Sequence, residues 1–334
     1  MSVVSIIVPC YNHGSFLAES LESIRAQTWP AWECIVVDDG STDASFEVAT
    51  RFQAADSRVR VIRQANQGMS SARNAGLRDC QGEYVFFLDA DDLIHREALA
   101  WLTSAARGEK RLALMGSCSF TTHPDADAYA RQMPRATVQM LPDLLRDNLA
   151  PIHCFLSRRS DVVEAHGFDE ALYGCEDWAL WLRLALLGVE AEVVPRIGAY
   201  YRKQTRSMST DTVRMLSGAI AVQLSGYAAL VRGDGCVDSC ERPHLLKTAA
   251  AAMRLNVICL SGALFRHGER QLASHFLRLE GDLNRLLGRR TTPGLAALHA
   301  RYRCWRYPVR QTTPMVLDGT RKLLAELRAA LKES

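Results

Sequence analysis

Residues 84–92 read Tyr84-Val85-Phe86-Phe87-Leu88-Asp89-Ala90-Asp91-Asp92, an apolar run that meets three carboxylates. A short, continuous apolar run that ends in turn residues predicts a strand buried on both faces, as in a parallel sheet. An Asp-x-Asp at such a strand end can set two carboxylates around one hard divalent cation. Mg²⁺ and Mn²⁺ prefer oxygen ligands and leave open positions for diphosphate oxygens. Three neighbouring carboxylates repel one another unless a cation offsets them, which favours a metal site made by Asp89 and Asp91. The other reading is an acidic cap on the next helix, a role open to Asp92.

Outward from this stretch the same alternation repeats. Val3–Pro9 is an apolar run followed by Asn12-His13-Gly14-Ser15 and a helical pattern from Phe16 to Gln27, with Ser15 expected as N-cap. Cys34–Val37 is the next strand; it stops at Asp38-Asp39-Gly40-Ser41, and Thr42 is expected to open a helix to about Ala55. Val59–Arg63 is a third strand, and Asn66-Gln67-Gly68 leads into a helix over Ser70–Asp79. That helix N-terminus is a natural phosphate site, with Arg73 adding charge. Downstream, Leu112–Ser117, Ile152–Ser157 and Glu190–Pro195 are expected strands, and Glu176–Leu187 a helix.

Strands alternating with helices predict an α/β, Rossmann-like, mainly parallel sheet flanked by helices. Ligands of such sheets sit outside the carboxyl ends of the strands. Tyr11-Asn12, Asp38-Asp39 and Asp89–Asp92 all fall there. From about Thr212 the pattern is almost wholly helical, so the chain is read as residues 1–210 and a helical region, 211–334.

The charge follows that division. Of 334 residues with a net charge of +3, residues 1–210 hold 21 Lys and Arg against 27 Asp and Glu, a net of −6; residues 211–334 hold 19 against 10, a net of +9. With 48% hydrophobic and 23% charged residues, the composition excludes disorder, collagen-like repeats and a disulfide scaffold. The cysteines are scattered, several in apolar runs, as buried free thiols of a reducing compartment would be. Cys236, Cys240 and His244 have suggestive spacing but no fourth zinc ligand, and incidental spacing is the commoner case. Neither a cleaved signal nor an unbroken apolar span is expected. Thr248–Phe265 is interrupted by Arg254 and Asn256, so the expected location is cytoplasmic.

Taken together, Val-Pro-Cys-Tyr-Asn at 8–12, Val-Asp-Asp-Gly-Ser at 37–41, the segment Asn66–Gly76 and Asp89–Asp92 resemble glycosyltransferase family 2 in order and spacing. Gly167-Phe168-Asp169-Glu170 and Glu176-Asp177-Trp178 extend the likeness, which covers roughly residues 3–210. The resemblance implies a GT-A fold and an inverting transfer of a sugar from a nucleotide donor, with a UDP-sugar favoured. By family pattern, Pro9, Tyr11 and Asn12 line the nucleotide and Asp39 reads the base. Asn66, Gly68 and Arg73 lie near uridine and diphosphate. Asp89 and Ala90 lie on the ribose side, and Asp91 is the direct ligand of Mn²⁺ or Mg²⁺.

Asp177 is then the general base, taking the acceptor proton opposite the leaving group. An ordinary acidic first helical turn is the competing reading. Glu176, Trp178, Phe168 and Asp169 are expected in support or on the acceptor side, whereas Trp181 belongs to the apolar helix face. His123, Asp125 and His153 are read as structural. The family often carries His after a Tyr-Arg pair; here Gln204 follows Tyr201-Arg202-Lys203, a weaker ligand that puts metal binding in doubt. Arg202, Lys203 and Arg206 are the alternative diphosphate contacts.

The tail interleaves Arg285, Arg289, Arg290, Arg301, Arg303, Arg306 and Arg310 with Tyr302, Trp305 and Tyr307. Such a segment suits a lipid-linked or anionic glycan acceptor, or peripheral membrane contact. Docking on the acidic half of the same chain is an equal reading. No nucleic-acid module is legible. Two other functions remain open. A silent nucleotide-sugar-binding or scaffolding protein of the same fold is disfavoured by Asp91 and Asp177. A nucleotidyltransferase would carry a Gly-rich, Arg-containing loop where this chain has Pro9-Cys10-Tyr11-Asn12.

Overall fold

The computed structural model describes residues 2–106, 111–134, 140–172, 174–204, 211–266 and 268–286, and Ala325. In chain order the elements begin β1 (Val4–Cys10), α1 (Gly14–Arg25), β2 (Trp32–Asp38), α2 (Ser45–Ala55), β3 (Val59–Arg63), α3 (Met69–Asp79) and β4 (Tyr84–Phe87). Then follow β5 (Leu93–Ile94), α4 (Ala98–Ala105), β6 (Leu112–Phe120), α5 (Pro124–Asp127), β7 (Tyr129–Gln132) and α6 (Met140–Leu144). A 3₁₀ turn at Ile152–Cys154 enters β8 (Phe155–Arg158), followed by α7 (Arg159–Glu164), α8 (Glu176–Leu186) and β9 (Ala191–Arg202). Three long helices close the series: α9 (Thr212–Arg232), α10 (Arg242–Arg266) and α11 (Arg270–Leu286).

The chain forms two compact units, and they interleave. The first takes residues 1–140, 149–170 and 189–204; the second takes 141–148, 171–188 and 205–334. One division falls between residues 204 and 205, close to the change to helical structure, while 141–148 and 171–188 also go with the second unit. The apolar face of α8 (Trp178, Trp181 and Leu184) is buried with the helices that follow, so that segment belongs to the second unit.

The first unit holds the sheet, in the order β3-β2-β1-β4-β8-β6-β9-β5 with β7 on β6. β1, β2, β3 and β4 pair in parallel, as the alternation predicts, with Ile6 opposite Cys34 and Phe86. The sheet is nonetheless mixed. β8 runs antiparallel to both β4 and β6, and β7 returns antiparallel on β6 after only the short α5. A parallel return needs a crossover of a dozen or more residues, which that turn does not supply. β9 runs on past Pro195, because its register with β6 slips between Met115 and Gly116, opposite Val194 and Ile197. Proline is tolerated at such a bulge.

Two helix starts also differ from expectation. α1 begins at Gly14, and Ser15 does not cap it; the Asp43 carboxylate accepts from the Gly14 N–H at 2.9 Å. The same carboxylate accepts from the Ser45 N–H at 2.9 Å, which starts α2 at Ser45 and not at Thr42. Each orphan first-turn donor thus finds a partner remote in sequence or outside its own helix.

In the second unit, α9 packs closely at its glycines. A Cβ on Gly226 would lie 2.8 Å from Leu145 and 2.9 Å from Leu182. With 21 and 25 residues, α9 and α10 are long and apolar enough to cross a membrane, more so than the interruption at Arg254 and Asn256 suggests. However, 56% and 72% of their most apolar windows are buried within the protein. The basic-aromatic segment from Arg289 to Arg310 lies outside the described residues, as does the Arg285 side chain.

Candidate active site

The loops after β1 and β2 are fastened to each other. Asn12, at φ +56°, accepts through Oδ1 from the Thr42 N–H (2.8 Å) and the Asp43 N–H (3.3 Å), and its own N–H donates to Ser41 Oγ (3.0 Å). Its carboxamide oxygen therefore holds the loops together, where the sequence reading placed a nucleotide contact. Pro9 is buried within β1, whereas Tyr11 is 46% exposed and presents an open ring at the strand end.

Asp39 is 3% exposed and its carboxylate grips the third loop. Oδ1 accepts from Gln64 Nε2 (2.8 Å) and the Gln67 N–H (2.9 Å), and Oδ2 from the Gly68 N–H (2.8 Å). Beside it Gly40 sits at φ +77°, where an added Cβ would meet the Asn66 nitrogen at 2.9 Å, so only glycine lets these loops approach. Asn66 and Gly68 are exposed ahead of α3.

The acidic loop follows β4. Asp89 Oδ1 accepts from Arg73 at 2.7 Å. Burial raises the Asp89 carboxyl, but the Arg73 guanidinium outweighs it and holds the carboxyl below the usual range. Arg73 is itself 2% exposed and lies 5.2 Å from the Phe168 ring centroid, so its charge serves Asp89 from the core. Burial and the charge of Asp89 raise the Asp91 carboxyl, and Gln204 Nε2 donates to Asp91 Oδ2 at 2.6 Å. Ala90 between them is buried.

Asp92 faces inward and caps no helix. It accepts from the Arg202 N–H at 2.7 Å and stands 3.2 Å from His153 Nδ1. Burial, then Asp91 and Asp89, push its carboxyl well above the usual range, and burial lowers His153 to about 4.

Arg202 is a strut, which corrects its reading as a diphosphate ligand. It is 4% exposed and donates to the Asp91 carbonyl (2.8 Å), the Thr122 carbonyl (3.1 Å) and Glu19 Oε2 (2.6 Å). The Lys203 ammonium lies 4.2 Å from the Tyr201 ring centroid, and burial lowers its pKa. Arg206 falls outside the described residues. Among the described residues no three His, Cys, Asp or Glu side chains could together hold a metal. The hard oxygens of Asp89, Asp91 and, after an amide turn, Gln204 still suit a divalent cation.

Phe168 is likewise a support. It is 2% exposed and packs edge-on against Phe87, with ring centroids 4.8 Å apart. Its backbone N–H donates to Asn74 Oδ1 (2.8 Å), and Asn74 Nδ2 donates to the Phe168 carbonyl (2.8 Å) and Glu170 (2.9 Å). Asp169 is exposed.

In the second unit, Asp177 opens α8 beside the buried Glu176, after Gly174 and Cys175 at φ +104° and +60°. Asp177 Oδ1 accepts from the Trp178 N–H at 2.7 Å, and Oδ2 from Asn148 Nδ2 at 3.1 Å. Trp178 is 2% exposed and its indole N–H donates to the Leu144 carbonyl at 2.7 Å, so it cannot stack on an acceptor. Trp181 is fully buried, as its place on the apolar face requires. Cys236 and Cys240 are exposed free thiols.

Asn74, Glu19, Asn148 and the part played by His153 were not legible in the sequence. Each acts through a partner remote along the chain, and of the four only Asn74 stands in a motif, the Asn66–Gly76 segment. For Asn148 and His153 the one available signal was an Asn or His inside an otherwise ordinary segment.

Residues 5–164 match the model of glycosyl transferase family 2. A Bacillus subtilis (strain 168) glycosyltransferase, EpsJ, is 42% identical over 118 residues, 35% of this chain and 34% of that protein. The chain spans between 14% and 42% of the length of the first curated relatives. Among solved structures, S. aureus TarS 1–349 in complex with UDP-GlcNAc superposes with a TM-score of 0.62 at 17% identity, over 86% of this chain and 91% of that one. The mannosyltransferase PcManGT of Pyrobaculum calidifontis, in complex with GDP-Man and Mn²⁺, superposes with a TM-score of 0.55 at 20% identity, over 98% of this chain and 85% of that one. Those likenesses show the GT-A fold. The match over residues 5–164 takes in the loops of Asp39, Arg73 and Asp89–Asp92, so over that part of its length the chain is similar to glycosyl transferase family 2.

Proposed function

We propose that this protein is an inverting glycosyltransferase that moves a sugar from a nucleotide diphosphate, with UDP favoured, to a hydroxyl of a glycan or lipid-linked glycan. The observation that carries the reading is the acidic loop after β4, where burial and Asp89 hold the Asp91 carboxyl above its usual range at the carboxyl end of the sheet. A cation relieves that arrangement. Relatives of the same fold bind UDP-GlcNAc, or GDP-Man with Mn²⁺.

In this reading Tyr11 offers the base a ring, and Asp39 holds the Asn66–Gly68 loop in place for the nucleotide. Asp91, with Asp89 beside it and Gln204 turned, would hold Mn²⁺ or Mg²⁺, which would supply positive charge to offset that of the leaving diphosphate. Lys203 supplies a positive charge nearby. Asp177 takes the proton of the acceptor hydroxyl as its oxygen bonds to the anomeric carbon and the bond from that carbon to the diphosphate breaks. The +9 helical region is the proposed acceptor or membrane-surface side, on the cytoplasmic face.

The test is a panel of nucleotide-sugars with Mn²⁺ or Mg²⁺, followed by calorimetric binding and nucleotide release. UDP-sugar binding is expected, and binding of only purine nucleotide-sugars would remove the UDP assignment. Asp177→Asn is expected to keep donor binding and to lose transfer by about 10²-fold or more. Normal transfer by that variant would overturn the base. Binding without transfer by the unaltered chain, across donors and acceptors, would favour a silent binding protein.

A further inference from the structure

Asn148 lies in residues 141–148, a stretch without a motif that folds with the helical second unit. Its Nδ2 donates to Asp177 Oδ2 at 3.1 Å, while Oδ1 is buried without a hydrogen-bond partner among the described residues. The amide can face only this way. Turned over, it would set an acceptor oxygen against the carboxylate.

The backbone that carries Asn148 is anchored at two carbonyls, and the second anchor is itself held in place. The Trp178 indole donates to the Leu144 carbonyl at 2.7 Å, and Gln223 Nε2 of α9 donates to the Arg146 carbonyl at 3.1 Å. Asn256 Nδ2 of α10 donates to Gln223 Oε1 at 3.0 Å. Gln223 is fully buried and Asn256 is 7% exposed, inside two apolar helices. Buried amides are costly there unless satisfied, and this pair is satisfied by ending on the loop before Asn148. The chain Asn256–Gln223–Arg146 carbonyl is thus a mount whose free end is an amide on Asp177.

We propose that Asn148 is a positioning residue that fixes the orientation of the Asp177 carboxylate, and that Gln223 and Asn256 hold Asn148 in register. The proposal rests on the reading of Asp177 as general base. It gives the helical region a task within the reaction, holding the base still. The charged groups nearby are Asp143, Arg146 and Asp147 on the same segment, Glu176 on α8 and Arg214 on α9. Asp177, Glu176, Asp147 and Arg214 are the charges that act on the Cys175 thiol between them.

The test is a titration of the full chain carrying ¹³C-carboxyl aspartate, followed by NMR. The Asp177 signal is identified as the one lost in Asp177→Asn. A donated hydrogen bond favours the carboxylate, so Asn148→Ala is expected to raise the Asp177 midpoint by roughly one unit. Asn148→Asp is expected to raise it further, because two carboxylates that close resist joint ionisation. Asn148→Gln should bring it back toward the unaltered chain, and Gln223→Leu should give a smaller rise. Asn148→Ser carries the same test should the alanine variant fold poorly, with circular dichroism as the check. Midpoints for Asn148→Ala (or Asn148→Ser) and Asn148→Asp equal to that of the unaltered chain would overturn the proposal. Shifted midpoints together with normal transfer by Asp177→Asn would instead overturn the base and leave the Asn148 contact standing.

Discussion

Gln204 Nε2 lies 2.6 Å from Asp91 Oδ2, so a neutral amide covers the carboxylate oxygen that a cation would take. The amide donates one hydrogen bond and offsets little of the local negative charge. A metal must displace it or turn it so that Oε1 faces inward. Gln204→His is therefore expected to tighten Mn²⁺ binding in the presence of UDP by about tenfold, and to favour Mn²⁺ over Mg²⁺, because imidazole suits transition metals better than the harder Mg²⁺. Titration calorimetry with each metal reads this directly. Equal affinities in both proteins would show that residue 204 does not meet the ion.

Arg202 is expected to behave as a fastener. Arg202→Met removes three hydrogen bonds donated by one buried guanidinium and should destabilise the protein by about 2–4 kcal/mol. Chemical denaturation measures it. Near-normal stability with loss of UDP binding would return Arg202 to the role of diphosphate ligand.

Trp178→Phe keeps the ring and drops the N–H that binds the Leu144 carbonyl. Leaving that carbonyl unpaired should cost about 1–2 kcal/mol, with no selective loss of sugar affinity. A stable variant that fails only in acceptor binding would reverse the assignment.

Glu33 gives a pH dependence well away from the site. It accepts from Ser5 Oγ (2.6 Å), the Gln81 N–H (2.7 Å) and Arg60 (2.9 Å). Burial raises its carboxyl, yet these donors prevail and the pKa is lowered. A lowered folded value means that the contribution is fully present above the ordinary glutamate range, near pH 4.3, and is lost as pH falls through the folded value. Glu33→Gln should therefore lower Tm at pH 7, with the gap to the unaltered protein closing as the pH is taken below about 4. A gap independent of pH would mean that the charge contributes nothing.

The parallel half of the sheet was legible because each strand there is a short apolar run with its own turn chemistry, and Asp89–Asp92 follows the last of them. The antiparallel entry of β8 was not, since Phe155–Arg158 looks the same in either direction and only its neighbours decide. Helix starts failed for a related reason: Asp43 serves Gly14, which lies 29 residues before it. At the site, charge type was readable and exposure was not. Arg73, Arg202, Phe168 and Trp178 have the chemistry of ligand contacts, but each is buried and engaged inside the protein. The sequence also offers no reason to connect Asn148 with Asp177, or Gln223 with Asn256.

The interleaving of the two units limits how the protein can be divided. A fragment ending near residue 204 would keep the whole family-matched segment, yet strip α9 and α10 from 141–148 and 171–188. Leu145 and Leu182, against which Gly226 of α9 packs, would then be laid bare, a sticky surface on that fragment. Grafting that fragment onto the tail of another protein would meet the same obstacle unless residues 141–148 and 171–188 travelled with the helices that cover them. Recombination in such a lineage is thus expected to exchange three segments together.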